Sequence, residues 1–419
     1  TATEHLQTTA ALKRSGHTRA RHRRATTRTE AHTDPSRTFR PLTATQAGLV
    51  PDVGAEVIRA AGDGAERLGR GAERLGRGLG ERAPLRAVPL FRKPASSIGR
   101  LVVDEQGLAV LRAQKQPFAI ISAVGPTRTG KSSILGRAFL RGEDENLFEI
   151  GSGVTSFTGG VWITSEPVLL RGSSEEKPVR AFLIDTEGFS GVGSLTSRTY
   201  EANMFGITYL LSSAVIYNSM FPVDASSVRQ MNWHALRTMQ IIKSLSEANV
   251  WTHRRQPSFL WSVQSFNMHQ LANTGLDAAA LFSHLRNASS KPEAGAAAIS
   301  SLIAPTGAST SAAWLVERLF ESPTLLPIRR PHADDEVVAN LAAHKTAELS
   351  PAYLADADAL RVATLRGLQP VHRCGDAQPR RQGVRLLFRP CKEVVPMDGP
   401  TLVAQLGKWM RYGHVVEET

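Results

Sequence analysis

Residues Phe118 to Leu140 read FAIISAVGPTRTGKSSILGRAFL. The run from Phe118 to Val124 is apolar and rich in Ile, Ala and Val. It leads into a glycine-bounded loop, and an amphipathic segment from Ser133 to Leu140 follows. This order predicts strand, loop and helix. Gly125, Gly130, Lys131 and Ser132 fit the pattern G-x-x-x-x-G-K-[ST]. In that pattern loop N–H groups and the helix N-terminus cradle phosphate oxygens. Lys131 would reach the outer phosphates as a point charge, and the Ser132 hydroxyl would be a ligand for Mg²⁺. Thr129 and Ser133 flank these residues and complete the candidate nucleotide contacts of the loop and first turn. The spacing alone recurs by accident in glycine-rich chains, but the flanking strand and helix argue against accident here.

Outward from this stretch, alternating strands and helices predict an α/β P-loop fold, a mostly parallel sheet with helices on both faces. Strands are expected at Val179–Ile184, Ile207–Tyr217, Ser258–Val263 and Thr324–Ile328. Ile98–Val110, with a turn at Asp104–Gly107, reads as a hairpin or as strand, turn and helix. Gly151–Ile163 is too rich in glycine and hydroxyls for a helix and reads as a mobile loop entering a strand at Val161. Helical spacing appears at Val228–Leu245, Trp314–Phe320, Val337–Leu349, Ala352–Leu365 and Ala404–Tyr412, and Asn287–Ser311 reads as a loop insertion.

The 419 residues carry a formal net charge of +12, much of it arginine in the first ninety or so positions. Thr1 to about Ala44 has almost no large apolar residues and is expected to be disordered. A-E-R-L-G-R-G occurs at Ala65 and again at Ala72, but only Leu68 and Leu75 recur as large apolar positions, which is too few for a coiled coil. The expected organisation is a disordered Arg-rich leader and linker at 1–95, a nucleotide-binding domain at 96–345 and a helical extension at 346–419. The leader's composition also resembles an organelle transit peptide; without that role a cytoplasmic location is expected. Cys374 and Cys391 are the two cysteines and make neither a metal set nor a disulfide framework. The 12 histidines show no metal-ligand spacing. No apolar run approaches the roughly 18 residues a membrane span needs, since Glu201, Asn203, Ser212, Ser213 and Asn218 interrupt the nearest one.

The strand Val179–Ile184 ends in Asp185-Thr186-Glu187-Gly188. An aspartate there can hold Mg²⁺ through water, and the Gly188 N–H can sense a γ-phosphate. Thr158, between the two motifs, can offer a hydroxyl to Mg²⁺. At these residues the chain resembles the guanylate-binding proteins, within the dynamin-like large GTPases. The resemblance rests on GPTRTGKS, SGVTSFTGGVWI, LIDTEGF, LLSSAVIYNSM, FLWSVQSF and VPMDGPTL, in the family's order from about Ile98 to the end. It implies Mg²⁺-dependent GTP hydrolysis activated by homodimerisation through the GTPase domains. It casts Arg128 as an internal arginine finger, worth about 10³ to 10⁵ in rate. Ser156 matches a serine that positions the attacking water, Thr158 a Mg²⁺ ligand and Glu187 a member of the same water network. A membrane or partner-protein surface is also compatible with the resemblance, and no specific nucleic acid is expected.

The chain departs from the family where the base is read. Gln264-Ser265 stands where members carry Arg-Asp, and a serine cannot supply a charged bidentate acceptor. The loss should cost guanine discrimination on the order of 2 kcal/mol. The chain ends V-V-E-E-T, without the family's long helical stalk or a prenylation signal. The alternative to a GTPase is therefore a weak nucleotide-binding switch or scaffold with relaxed base specificity.

Overall fold

The computed structural model describes residues 84–93, 100–140, 142–148, 159–172, 177–189, 198–220, 225–250, 255–267, 316, 319–375 and 393–413. The sections read as leader, tandem repeat and insertion lie outside these residues, as do residues 151–158 of the loop with Ser156 and Thr158, Cys391 and most of Trp314–Phe320.

The chain enters the sheet with β1 (Ala87–Arg92) and β2 (Val102–Val103), followed by α1 (Glu105–Arg112). β3 (Ala119–Val124) leads through the loop to α2 (Lys131–Phe139) and a 3-10 turn (Gly142–Asn146). β4 (Val161–Thr164), β5 (Val168–Leu170) and β6 (Val179–Thr186) come next, then α3 (Arg198–Leu211), β7 (Ala214–Met220) and α4 (Ala225–Glu247). β8 (Ser258–Gln264) and β9 (Glu321–Pro327) complete the sheet. α5 (Asp335–Ala339), two 3-10 turns, α6 (Pro351–Leu365), a hairpin pair β10 (His372–Cys374) and β11 (Val394–Pro396), and α7 (Gly399–Gly413) close the described chain.

The sheet is mixed, in the order β2-β1-β4-β6-β3-β7-β8-β9, with β5 pairing the first half of β6. From β6 through β3, β7 and β8 to β9 all pairs are parallel, and the β1, β2, β4 and β5 pairings are antiparallel. β3 sits between β6 and β7 and all six of its residues are buried, which is why its sequence is a continuous apolar run instead of an alternation. Ile120 and Val124 face one core with α1, α3, α4 and α7, whereas Ile121 and Ala123 face a second core with α2 and α6. The helices on both faces are thus as expected.

Four expectations change. The sheet begins with β1, inside the stretch read as linker, because Leu90 and Phe91 are fully buried beneath α1. Of the two readings of Ile98–Val110 the order of strand and then helix holds and the hairpin does not, but Asp104 is the N-cap of α1, accepting from the Gln106 N–H, so Glu105–Gly107 already belong to the helix. Ile207–Leu211 ends α3 and the strand starts only at Ala214. Every residue from Tyr200 to Ser212 is buried, so this helix lacks the polar face by which a helix is recognised, and its β-branched residues imitate a strand. Val337–Leu349 is not one helix, since α5 gives way to 3-10 turns at Leu341–Ala343 and Thr346–Glu348. The Arg137 guanidinium takes the Leu341 and His344 carbonyls, at 3.0 and 2.8 Å, replacing the helical bonds. In addition Cys374 is disulfide-bonded, where the sequence offered no disulfide framework.

Candidate functional site

The loop between β3 and α2 closes on itself and on the end of β6. The Thr127 N–H donates to the Phe189 carbonyl at 2.9 Å and the Phe189 N–H to the Gly125 carbonyl at 3.0 Å. The approach is so tight that a Cβ on Gly188 would lie 2.3 Å from the Thr127 Cα, so only glycine serves there. Gly125 has φ 140 and backs onto strand β7, where a Cβ would meet the Asn218 carbonyl oxygen at 2.0 Å. Ile134 N–H to Gly130 C=O is the first intrahelical bond of α2, and no side chain caps this terminus. The N–H groups of Lys131, Ser132 and Ser133 therefore precede the helical ladder, and the helix dipole adds positive potential at that point.

Lys131 is buried, and its Nζ donates to the Pro126 carbonyl at 3.0 Å. Burial lowers its pKa, while the charges of Asp185 and Glu187 oppose that shift. The Ser132 Oγ donates to Asp185 Oδ2 at 2.7 Å, joining the two motifs across the β3–β6 pair. Ser132 and Asp185 are hard oxygen donors beside the cradle, which fits Mg²⁺. Among the described residues no His, Cys, Asp and Glu group of three or more could hold a metal by itself, so phosphate oxygens and water would complete the shell.

Glu187 is buried, and its Oε2 accepts from the Gly160 N–H at 3.2 Å and from the Tyr200 hydroxyl at 3.0 Å. Its own N–H donates to the Gly160 carbonyl at 2.8 Å. The carboxylate thus fastens the entry of β4 to the end of β6. Burial, and then the Glu187 charge, raise the Tyr200 pKa, so the phenol stays a donor. The Lys93 ammonium lies 5.2 Å from the centre of the Tyr200 ring. Arg128 is exposed and adopts φ 61, a left-handed backbone that costs a non-glycine residue on the order of 1 kcal/mol.

At the end of β8 the Gln264 side chain is buried and turned inward, its Nε2 donating to Asn218 Oδ1 at 2.9 Å. Ser265 follows in a turn with φ 54. Gly125, Thr129, Gly130, Lys131, Ser132, Ser133, Asp185, Glu187 and Gly188 are brought together, and Gln264 is linked to them through Asn218. Asn218, read in the sequence only as a polar interruption of an apolar run, and Tyr200 are site residues that the motifs do not contain. For Asn218 a signal existed, an amide inside an otherwise apolar strand, in AVIYNSM.

A mostly parallel sheet whose central strand opens into this loop, with Asp185 closing from the neighbouring strand, defines the P-loop NTPase fold. Residues 99–288 match the family model described as guanylate-binding protein, N-terminal domain. Human guanylate-binding protein 2 is 30% identical over 177 residues, covering 41% of this chain and 28% of that protein. Mouse guanylate-binding protein 5 is 28% identical over 186 residues, covering 42% of this chain and 30% of that protein. Over this domain the chain is thus similar to guanylate-binding proteins, and it spans less than a third of the length of the curated relatives it matches.

Proposed function

We propose that this domain binds GTP and hydrolyses it to GDP and phosphate. The observation that carries the reading is the Ser132–Asp185 hydrogen bond beside buried Lys131, which joins both halves of a triphosphate site. The loop N–H groups and Lys131 would hold the phosphates, and Gly188 would sense the γ-phosphate. Ser132 and Asp185, with Thr158, would hold Mg²⁺, which neutralises charge on the phosphate oxygens when bound. Glu187 acts here as a positioning residue that keeps Gly160 at the site, and Ser156 would orient the attacking water. Arg128, exposed at the loop, would stabilise charge on the transferring phosphoryl group once two such domains pair.

A second reading, a weak nucleotide-binding switch with relaxed base choice, is favoured by one observation. Gln264 faces Asn218 and Ser265 offers no carboxylate. Phosphate release from the full chain with GTP or ATP, with Mg²⁺ or EDTA, and at several protein concentrations separates the two. GTP turnover that rises per molecule with concentration and falls at least 100-fold in Arg128→Ala supports the paired GTPase. Equal turnover of GTP and ATP retires guanine selectivity. Binding without turnover leaves the switch.

A further inference from the structure

We propose that Asn218 is the positioning residue of the phosphate loop, oriented by Ser262 and Gln264 so that the state of the base end of β8 sets the loop's geometry. This rests on the nucleotide reading above and adds residues to it that neither motif contains.

Asn218 is fully buried on β7. Its Nδ2 donates to the Thr129 carbonyl at 2.6 Å. Its Oδ1 accepts from the Ser262 hydroxyl at 2.5 Å and from Gln264 Nε2 at 2.9 Å. The direction of these bonds follows from the chemistry of one atom. The Thr129 carbonyl can only accept, so the Asn218 NH₂ must face it, and the amide oxygen must then face two donors. Gln264 is thereby required to present its NH₂. Each member of the chain is fixed by the next.

The consequence lies in the peptide that follows Thr129. In a trans peptide the C=O and the next N–H point to opposite sides. Holding the Thr129 carbonyl down on β7 therefore turns the Gly130 N–H away from the strand. The Thr129 hydroxyl closes the same turn from the other side, donating to the Pro126 carbonyl at 2.9 Å. Asn218 also supports the beginning of the loop, since its main-chain oxygen fills the space where Gly125 has no Cβ. One residue thus supports both ends of the cradle.

The other half of the chain runs to the base end. Ser262 stands opposite Asn218 in the β7–β8 register and Gln264 two residues on, on the same face. Gln264 directly precedes Ser265, where the chain turns with positive φ. The link is neutral throughout. It consists of a glutamine, a serine and an asparagine, with a main-chain carbonyl at its far end.

The test separates action on the loop from contact with a base. Binding of inorganic tripolyphosphate, which has no base, is measured by calorimetry beside that of fluorescent methylanthraniloyl-GTP, on the full chain and on Gln264→Leu and Ser262→Ala. The expected result is that Gln264→Leu weakens both ligands by the same factor, about three- to tenfold, the worth of one buried hydrogen bond. Weakening of the GTP analogue alone would overturn the proposal and make Gln264 a base contact. An Asn218→Asp variant gives a second readout. Full burial at this position raises a carboxyl's pKa above the ordinary aspartate value of about 3.9, so at pH 5.5 the protonated form is populated and can donate to the Thr129 carbonyl, whereas the ionised form at pH 8.5 repels it. Tripolyphosphate affinity should therefore fall at least tenfold across that range relative to wild type, with thermal unfolding at each pH confirming the fold. A profile parallel to wild type would overturn the positioning role and leave the nucleotide reading intact. Failure of the wild-type chain to bind either ligand removes the nucleotide reading and the relay with it.

Discussion

Gly188 and His234 show how far single residues decide this domain. Gly188→Ala places a methyl 2.3 Å from main chain of the loop, and main chain cannot step aside as a flexible side chain can. The variant should lose at least tenfold in affinity for a GTP analogue, and unchanged binding in a fluorescence titration would show that the two motifs need not touch. His234 lies on α4, packed between Phe189 at 4.4 Å and Phe205 at 5.3 Å between ring centres. Burial pushes its pKa down to about 3. The folded state keeps the ring neutral while the unfolded chain takes up a proton below about pH 6.5. Stability is therefore complete above that pH and falls as the pH drops toward 3, by at most about 1.4 kcal/mol per pH unit from this group. Thermal unfolding of wild type and His234→Phe between pH 7.5 and 4.5 checks the sign, because the variant should lose less stability over the interval. Lys131, Ser132, Asp185 and Gly188 were legible in the sequence because both motifs set them at fixed short spacings. Asn218, Tyr200 and His234 were not, since each acquires its role from partners on other strands and helices.

At the scale of elements, the strands around β3 were legible because burial on both faces leaves an apolar run with few alternatives. The failures have a common cause in tertiary contacts that override local pattern. From Tyr200 on α3 is buried on every side, so it carries no amphipathic signature. The segment after β9 has the spacing of one helix but is broken by Arg137, which reaches from α2 into it. The Arg137 side chain is 1% exposed; it pairs with Glu145 at 2.6 Å and bonds the Thr346 hydroxyl and two carbonyls. It couples the helix of the phosphate loop to the turns that lead into α6. Removing one partner of a buried pair costs roughly 3–5 kcal/mol, because the other is left uncompensated. Arg137→Ala should lose about that much in urea unfolding. The double variant Arg137→Ala with Glu145→Ala should lose less than the sum of the two single changes. Strict additivity would show that the pair is not coupled.

The whole molecule is bounded by a strand that its own composition conceals. β1 follows an Arg-rich stretch and has only six residues, yet it pairs with β2 on one side and β4 on the other. Leu90 and Phe91 are fully buried against α1, and the Phe91 carbonyl lies where a Cβ on Gly160 would be, 2.1 Å away. β1 therefore holds the edge of β4 at the point where Gly160 meets Glu187. Burying two such side chains is worth about 1.5–3 kcal/mol each, and the lost pairing would leave β4 as an open edge. A chain beginning at Ile98 keeps the phosphate loop and Asp185 but loses this support. It should unfold at a temperature lower by about 10 °C or more, at roughly 2–4 °C per kcal/mol for a domain of this size, and bind a GTP analogue more weakly. A chain beginning at Ala83 should match the full chain in both measurements. Equal unfolding temperatures for the two shortened chains would mean that β1 contributes nothing to the domain. Weaker binding by the Ile98 chain at a temperature where it is fully folded would place β1's influence on the Gly160–Glu187 junction itself.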